Sequence, residues 1–343
     1  MPDIFLDFGN ADVKYFDGMQ NYAHYRHAIA PITESEWRAI VGRAKQPPRG
    51  FIAIEGKYFA VGDKARRYVL KDKPRGADRY TPDYYGVAMA YSISELYPSD
   101  TRLINLFASY APRDIEYVDD IRQAALGYWH FTTHNGTYKV HVKTVECFDE
   151  PAGGFNHAVL TKDGRALKNN PYRDSTVLVL DVGGYTCDVI AVDPQGMIDD
   201  NSYASTLTGV IGTYDWFERE LRSAYKSEFK GTGELDARRL ETAMLSGAYP
   251  FGNIKLDCGA IGKQAINTLV NDIADVIKGA GGVANYDVVL LTGGGSALVY
   301  EALKAHIRTI DFILVEPERE LMRYANVFGG AKLFAMLKRM GVL

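Results

Sequence analysis

The chain has 343 residues, of which 47% are hydrophobic and 24% charged, and its formal net charge is −4. This length and composition are typical of a globular protein with two domains, each able to bury its own apolar core. The negative balance argues against a nucleic-acid-binding role for the protein as a whole, although a local basic patch stays compatible with it.

The cysteines and the apolar runs exclude further classes. Cys147, Cys187 and Cys258 are odd in number and widely spaced, which fits neither a disulfide framework nor a zinc site. No apolar run approaches the roughly 20 residues that span a bilayer, and the first residues lack the order of a signal peptide. We therefore expect a cytoplasmic protein with no direct membrane contact.

Residues 4–18 contain an apolar run, an acidic turn and a second apolar run. This pattern predicts a hairpin that turns at Gly9 and Asn10. Asp7 closes the first strand, and Lys14 follows it on the second. The lysine is placed to reach back to an anion at the turn, and an exposed lysine on a solvated strand face is the alternative.

The next part of the chain alternates between strands, loops and helices. Residues 64–82 are basic, which is typical of a solvated loop and compatible with a nucleic-acid or partner contact. The other predicted segments are a hairpin over 51–61, a helix over 84–96, a strand over 102–109, a helix over 114–126, and strands over 127–132 and 137–147.

Three carboxylates precede a Pro-Ala-Gly-Gly bend at residues 146–154. A solvated acidic loop is the simpler interpretation. The other interpretation is that one of these three carboxylates lies at a reaction centre.

Residues 177–192 again predict a strand, a tight turn and a second strand. A carboxylate at Asp181 would cost several kcal/mol to bury unless a cation or hydrogen-bond donors met it. Backbone N–H groups at Gly183 and Gly184, with the Thr186 hydroxyl, could hold a phosphate while Asp181 holds Mg²⁺. A plain hairpin is the alternative.

The two hairpins align on their Asp-x-Gly triplets, Asp7 to Gly9 and Asp181 to Gly183. A repeat so far apart along the chain indicates a duplicated domain, because solenoid repeats recur every 20–50 residues or so.

A third glycine turn, with Gly293, Gly294, Gly295 and Ser296, lies between a predicted strand and a helix over 297–307. A strand, glycine turn and helix N-terminus in this order are typical of an anion or nucleotide site. The consecutive glycines do not match the dinucleotide fingerprint. The other predicted elements are a turn at Gly209, helices over 214–225, 236–246 and 263–278, a strand over 312–315, and a final helix over 331–340.

These motifs, in this order, resemble those of the actin-type ATPase fold, which actin, bacterial actin-like filament proteins, heat-shock ATPase chaperones and sugar kinases share. Residues 7–14 are similar to its first phosphate motif, 181–188 to its second, and 291–296 to its adenosine motif. Residues 324–331 resemble the closing motif of plasmid-segregation actins of the ParM kind.

The resemblance implies an α/β fold with two related ribonuclease-H-like domains that face a nucleotide cleft. The first domain would comprise residues 1–165 plus 316–343, and the second residues 166–315. ATP, with GTP as the alternative, would bind with Mg²⁺.

The resemblance also assigns roles to residues. Asp7 and Asp181 would hold the hydrated metal, Lys14 would contact phosphate, and Glu150 would orient the attacking water, with Asp149 as its competitor. The glycine turns would form the rest of the cofactor site, through Gly9, Asn10, Gly183, Gly184, Thr186, Gly209, Gly293, Gly294, Gly295 and Ser296.

The function implied is a filament-forming ATPase of plasmid or DNA segregation, or of a prokaryotic cytoskeleton. Such a protein assembles head-to-tail with itself and works with a DNA-binding adaptor, so we expect no direct nucleic-acid binding. The chain lacks room for a chaperone's substrate-binding domain. Two alternatives are a small-molecule kinase, for which the sequence offers neither an aspartate base nor a sugar pocket, and a non-polymerising nucleotide-switch adaptor.

Overall fold

The computed structural model describes residues 1–44, 46–68, 76–233 and 235–343. The chain divides into two compact units, Met1–Ala166 with Asn326–Leu343, and Leu167–Ala325. Residues 69–75 of the basic segment lie outside the described part of the chain. Among the described helices, none has both the length and the apolar character needed to cross a bilayer.

The first unit is built on a nine-stranded sheet. Its strands are β1 (Asp3–Phe8), β2 (Asp12–Phe16), β3 (Tyr22–Arg26), β4 (Ile29–Ile32), β5 (Phe51–Ile54), β6 (Lys57–Val61), β7 (Leu103–Tyr110), β8 (Gly127–Thr133) and β9 (Gly136–Asp149), in the order β3-β2-β1-β7-β9-β8-β5-β6-β4. Its helices up to residue 166 are α1 (Glu34–Val41), α2 (Val87–Leu96), α3 (Val118–Ala125) and α4 (Glu150–Val159), with shorter helical turns at Gly62–Arg67, Gly76–Tyr80, Pro82–Gly86 and Pro112–Tyr117.

Helix α2 lies in the core of this unit. Every residue from Val87 to Ser94 is buried, because the run Val-Ala-Met-Ala-Tyr-Ser-Ile is apolar or small on all sides, as is typical of a fully buried helix. The helix packs in one cluster with residues of β1 and β7, such as Leu6 and Leu106. It therefore supports the two strands that carry Asp7 and Ser109 next to their last residues.

The second unit is built on a five-stranded sheet in the order β12-β11-β10-β15-β16. Its elements are β10 (Val177–Val182), β11 (Cys187–Val192), β12 (Ile198–Thr206), α5 (Val210–Ala224), α6 (Ala237–Ser246), β13 (Ala248–Phe251), β14 (Ile254–Asp257), α7 (Gly259–Gly279), β15 (Val288–Thr292), α8 (Ser296–His306), β16 (Asp311–Leu314) and α9 (Arg319–Met322), with a short turn at Val283–Asn285. Helix α10 (Ala325–Arg339) follows and belongs, from Asn326 onward, to the first unit.

Both sheets contain the same five-strand plan. In β3-β2-β1-β7-β9 and in β12-β11-β10-β15-β16, two antiparallel pairs are followed by two parallel pairs. The aligned hairpins, β1-β2 and β10-β11, occupy the same place in each plan. The predicted α/β class with two related units is thus confirmed.

The prediction of an acidic bend at residues 146–154 is wrong. Strand β9 continues to Asp149, and α4 begins at Glu150 with Pro151 in its first turn, where a missing N–H costs no hydrogen bond. The final helix also begins earlier than predicted, at Ala325. The two helices cross closely, since a Cβ added at Gly329 would lie 1.7 Å from the Gly153 carbonyl oxygen. The glycines thus allow a helix contact and do not mark loops.

We predict that Gly329→Ala lowers the free energy of unfolding by about 3 kcal/mol, because backbone must move to admit the methyl group. Gly212→Ala is the matched control. A Cβ at Gly212, in α5, meets nothing within 4 Å, so this substitution raises stability by up to about 1 kcal/mol. Denaturant unfolding of both variants measures the difference, and equal stabilities would contradict the close helix contact.

Candidate functional site

The first glycine turn is organised by an ion pair across the β1-β2 hairpin. Asp7 lies opposite Lys14 in the strand register, and Lys14 Nζ donates to Asp7 Oδ2 at 2.7 Å. Asp7 is fully buried, and within the described part of the chain its Oδ1 has no hydrogen-bond partner. A Cβ at Gly9 would lie 3.0 Å from that oxygen, so only glycine leaves the carboxylate uncovered on this side.

Glu150 lies at the same edge of the sheet as Asp7. In the parallel strands Asp7 pairs with Ser109, and Ser109 Oγ donates to Glu150 Oε1 at 3.4 Å. Because carboxyl ends of parallel strands meet at one edge, the topology brings the two predicted carboxylates together within this unit.

Asp149, the competing carboxylate, has a different environment. It is 9% exposed, and the Tyr110 hydroxyl donates to its Oδ2 at 3.3 Å. Glu150 is more exposed and begins α4. Of the two, Glu150 has the carboxylate that is better placed to meet solvent or a ligand.

The second glycine turn joins β10 to β11. Asp181, which is 4% exposed, pairs with Asp188 on one side and with Thr292 on the other. The turn closes through the Gly183 N–H, which donates to the Thr186 carbonyl at 2.8 Å. The buried strand end predicted from the sequence is therefore present in the second unit as well.

The Thr186 side chain contacts a buried carboxylate. Its hydroxyl donates to Asp188 Oδ2 at 2.9 Å, and Ser205 Oγ donates to Asp188 Oδ1 at 2.5 Å. Asp188 thus accepts hydrogen bonds from two hydroxyl groups. Sequence reasoning missed Asp188 and Ser205, although an acidic residue inside an apolar strand was a usable signal for the first.

The second turn is joined to the N-terminus of α5. The N–H groups of Val210 and Ile211 donate to the carbonyls of Gly183 and Gly184, at 3.2 and 2.8 Å. Gly209 precedes α5 directly and is its N-cap. The start of α5 therefore brings Gly209 next to Gly183 and Gly184, so three of the predicted residues lie together.

The third turn packs against the end of β10. Gly293 has φ +85°, and a Cβ there would lie 2.0 Å from Asp181 Oδ1. The Gly295 N–H donates to the Val182 carbonyl at 2.8 Å, and the buried Ser296 hydroxyl donates to the Thr292 carbonyl. Gly294 instead faces Arg323. The Ser296 hydroxyl therefore binds the carbonyl of the last residue of β15, while Gly293 lies against the Asp181 carboxylate.

The cysteines are not nucleophiles of this site. Burial raises the pKa of the Cys187 thiol well above its ordinary value, and burial raises the pKa of Cys147 to about 12. Both thiols are therefore protonated at neutral pH, while thiolates are the reactive and metal-binding form.

A metal ion at this site would need oxygen ligands from a bound molecule as well as from the protein. Within residues 1–44, 46–68, 76–233 and 235–343, no three His, Cys, Asp or Glu side chains cluster closely enough to hold a metal. The orphan Oδ1 of Asp7 nevertheless fits a hydrated cation, whose water could donate to it. Mg²⁺ keeps several waters and is usually bound through one or two carboxylates plus phosphates.

Comparisons with known proteins support this organisation. Residues 179–305 match the family model for the C-terminal part of the archaeal actin homologue MreB-like. Among solved structures, the archaeal actin homolog Ta0583 is 16% identical, with a TM-score of 0.72 over 99% of this chain and 100% of that chain. The actin-like protein Alp7A is 16% identical, with a TM-score of 0.73 over 99% of this chain and 97% of that chain.

A ParM filament from Clostridium botulinum is 15% identical in its subunit, with a TM-score of 0.66 over 96% of this chain and 98% of that chain. The chain has the actin-like fold. At these identities the likeness establishes the fold alone. A comparison with curated protein sequences gives no significant match.

The actin-like chain carries its glycine turns where the sequence placed them. Asp7, Gly9, Asn10, Lys14 and Glu150 lie in the first unit. The second unit contains the other predicted residues, Asp181, Gly183, Gly184, Thr186, Gly209, Gly293, Gly294, Gly295 and Ser296.

We predict that Gly293→Ala lowers the melting temperature by about 5 °C or more, because alanine is strained at positive φ and its methyl group would displace Asp181. The neighbouring Gly294→Ala is the control. A Cβ there would lie 3.5 Å from Arg323 Cβ, an ordinary contact, so its melting temperature stays near that of the wild type. Similar shifts for both would show that the third turn does not constrain Asp181.

Proposed function

We propose that this actin-like chain binds ATP with Mg²⁺, hydrolyses it, and assembles head-to-tail into filaments. The observation that carries the proposal is the repeated arrangement of a buried aspartate at a strand end beside a glycine turn. Two such ends, Asp7 and Asp181, occupy equivalent places in two sheets of one plan. The two units, Met1–Ala166 with Asn326–Leu343 and Leu167–Ala325, are in this proposal the two actin-like domains.

Phosphoryl transfer to water needs positioning and charge neutralisation more than covalent chemistry. In our proposal the N–H groups of the glycine turns bind the β- and γ-phosphates. Lys14, which already contacts Asp7, extends to a phosphate oxygen. The third turn, Gly293 to Ser296, lies near the nucleoside.

Asp7 and Asp181 would hold the hydrated Mg²⁺, which neutralises phosphate charge when it is bound. Glu150 is our candidate for orienting the attacking water. Its carboxylate lies at the edge of the sheet where β1, the strand of Asp7, ends. It accepts a hydrogen bond from the Ser109 hydroxyl. Hydrolysis then requires only that Glu150 accept a hydrogen bond from the water and direct it toward the γ-phosphate.

Two of the similar structures bear on nucleotide and assembly. Ta0583 has been crystallised in complex with ADP, and ParM from Clostridium botulinum forms a 15-stranded filament. These facts support nucleotide binding and self-assembly for this chain as proposals. The same proposal extends to a role in DNA segregation, together with a DNA-binding adaptor, or in a prokaryotic cytoskeleton. GTP is the alternative nucleotide.

Asp181→Asn should abolish phosphate release while leaving the protein folded, because the amide cannot supply the negative charge that a metal requires. We expect a loss of 100-fold or more, on the order of a catalytic group's contribution. Asp311→Asn is the control, since Asp311 is exposed on β16, two strands away from β10, at the opposite end of the sheet's parallel strands. Near-normal turnover by Asp181→Asn would reject its metal role.

Sedimentation tests assembly. We expect the protein to pellet with ATP and Mg²⁺, and to return to the supernatant as phosphate is released. A protein that binds and hydrolyses ATP but stays in solution at high concentration would instead be a nucleotide-switch adaptor. Phosphorylation of a sugar in place of water would identify a kinase.

A further inference from the structure

The first glycine turn is held from behind by two buried side chains outside every motif described above. His27 is 2% exposed, and its Nδ1 lies 2.5 Å from the Gly9 carbonyl oxygen. Arg79 is 7% exposed, and its Nη2 donates to the Phe8 carbonyl at 2.8 Å. Since a carbonyl oxygen only accepts, His27 Nδ1 is the protonated nitrogen.

A third bond comes from the backbone of His27. Its N–H donates to the Ala11 carbonyl at 2.9 Å. The carbonyls of Phe8, Gly9 and Ala11 therefore all accept hydrogen bonds. His27 donates to the last two.

Holding a carbonyl also orients an N–H group. A peptide unit is planar and trans, so its C=O and N–H point in opposite directions. The Phe8 carbonyl shares a peptide unit with the Gly9 N–H, and the Gly9 carbonyl shares one with the Asn10 N–H. Anchoring the two carbonyls at the rear fixes these two successive N–H groups on the other side, an arrangement that binds anions.

The two donors are themselves fixed by their surroundings. The Arg79 guanidinium also donates from Nη1 to Asp114 Oδ2 at 3.1 Å, and the Tyr80 hydroxyl donates to the same oxygen at 2.6 Å. Asp114 thus balances the buried charge. The guanidinium lies 5.6 Å from the centre of the Phe8 ring.

Aromatic contacts hold the imidazole in the same way. The His27 ring is 4.2 Å from the Phe8 ring and 5.4 Å from the Tyr84 ring, centre to centre. A side chain locked by packing on two sides can aim its donor with little loss of conformational entropy.

We propose that His27 and Arg79 are positioning residues for nucleotide phosphate, acting through the backbone of the first turn. Neither touches the nucleotide; they set the direction of the Gly9 and Asn10 N–H groups that bind it. The inference rests on the proposed function and deepens it. A purely structural role, in which the two side chains only pack around Phe8, would alter stability without altering the preference for phosphate.

The test compares two ligands, ATP with Mg²⁺ and adenosine, which has no phosphate. We expect His27→Leu to weaken ATP binding roughly 10-fold, the effect of losing one buried hydrogen bond, and to lower kcat/KM about 10- to 100-fold through misplacement. Adenosine binding should be unchanged. His27→Asn, whose amide nitrogen can replace Nδ1, should recover much of the loss.

His130→Leu is the matched control. His130 is exposed on β8, so the same substitution there should leave both ligands and turnover as in the wild type. Thermal unfolding of each variant shows that the protein measured is folded.

Arg79 needs a paired substitution, because its removal alone would leave the buried Asp114 with only the longer ion pair from Arg113, whose Nε is 3.9 Å from Oδ1. The double variant Arg79→Met with Asp114→Asn avoids that charge. It should show the same selective loss of ATP affinity, again with adenosine unaffected.

The outcomes separate the two proposals. If the wild type binds ATP and folded His27→Leu binds it equally well, or loses ATP and adenosine equally, the positioning role is wrong and the proposed function stands. If the wild type does not bind ATP with Mg²⁺, the proposed function fails, and this inference fails with it.

Discussion

The structure depends on one constraint that occurs in both units: a carboxylate is placed at the buried end of a strand. In the first unit, Asp7 is fully removed from solvent, and Lys14 supplies a cation to one of its two oxygens. Burying an ion is costly, and an attraction of this kind repays the cost only when hydrogen bonds complete it. The unsatisfied Oδ1 is therefore a local destabilisation that a bound, hydrated cation would relieve.

In the second unit, the buried carboxylate of Asp181 is surrounded by close backbone contacts. Gly293 brings the third turn against Asp181 more closely than any side chain would allow, and α5 is joined through the Gly183 and Gly184 carbonyls to the second turn. The shape of this site is thus set by glycine contacts between elements that are distant in sequence.

Much of this was predictable from the sequence. The two Asp-x-Gly hairpins and the strand before Gly293 follow from local periodicity and turn chemistry, which depend on neighbouring residues. The α/β class followed from the family resemblance that these motifs carry. What failed was decided by distant contacts. Gly153 and Gly329 look like loop residues until each is seen against the other helix. His27 and Arg79 lie in no motif, because their partners are carbonyls that any sequence would supply.

The crossing of α4 and α10 also bears on how the protein is made. Glu150 begins α4, and α4 packs through Gly153 on a helix drawn from the last residues of the chain. During synthesis the chain emerges from its N-terminus, so α4 lacks this neighbour until the whole second unit and then α10 have been translated. The packing around the helix that begins at Glu150 is thus completed only after the second unit has been made, and a chain that stops before α10 lacks it.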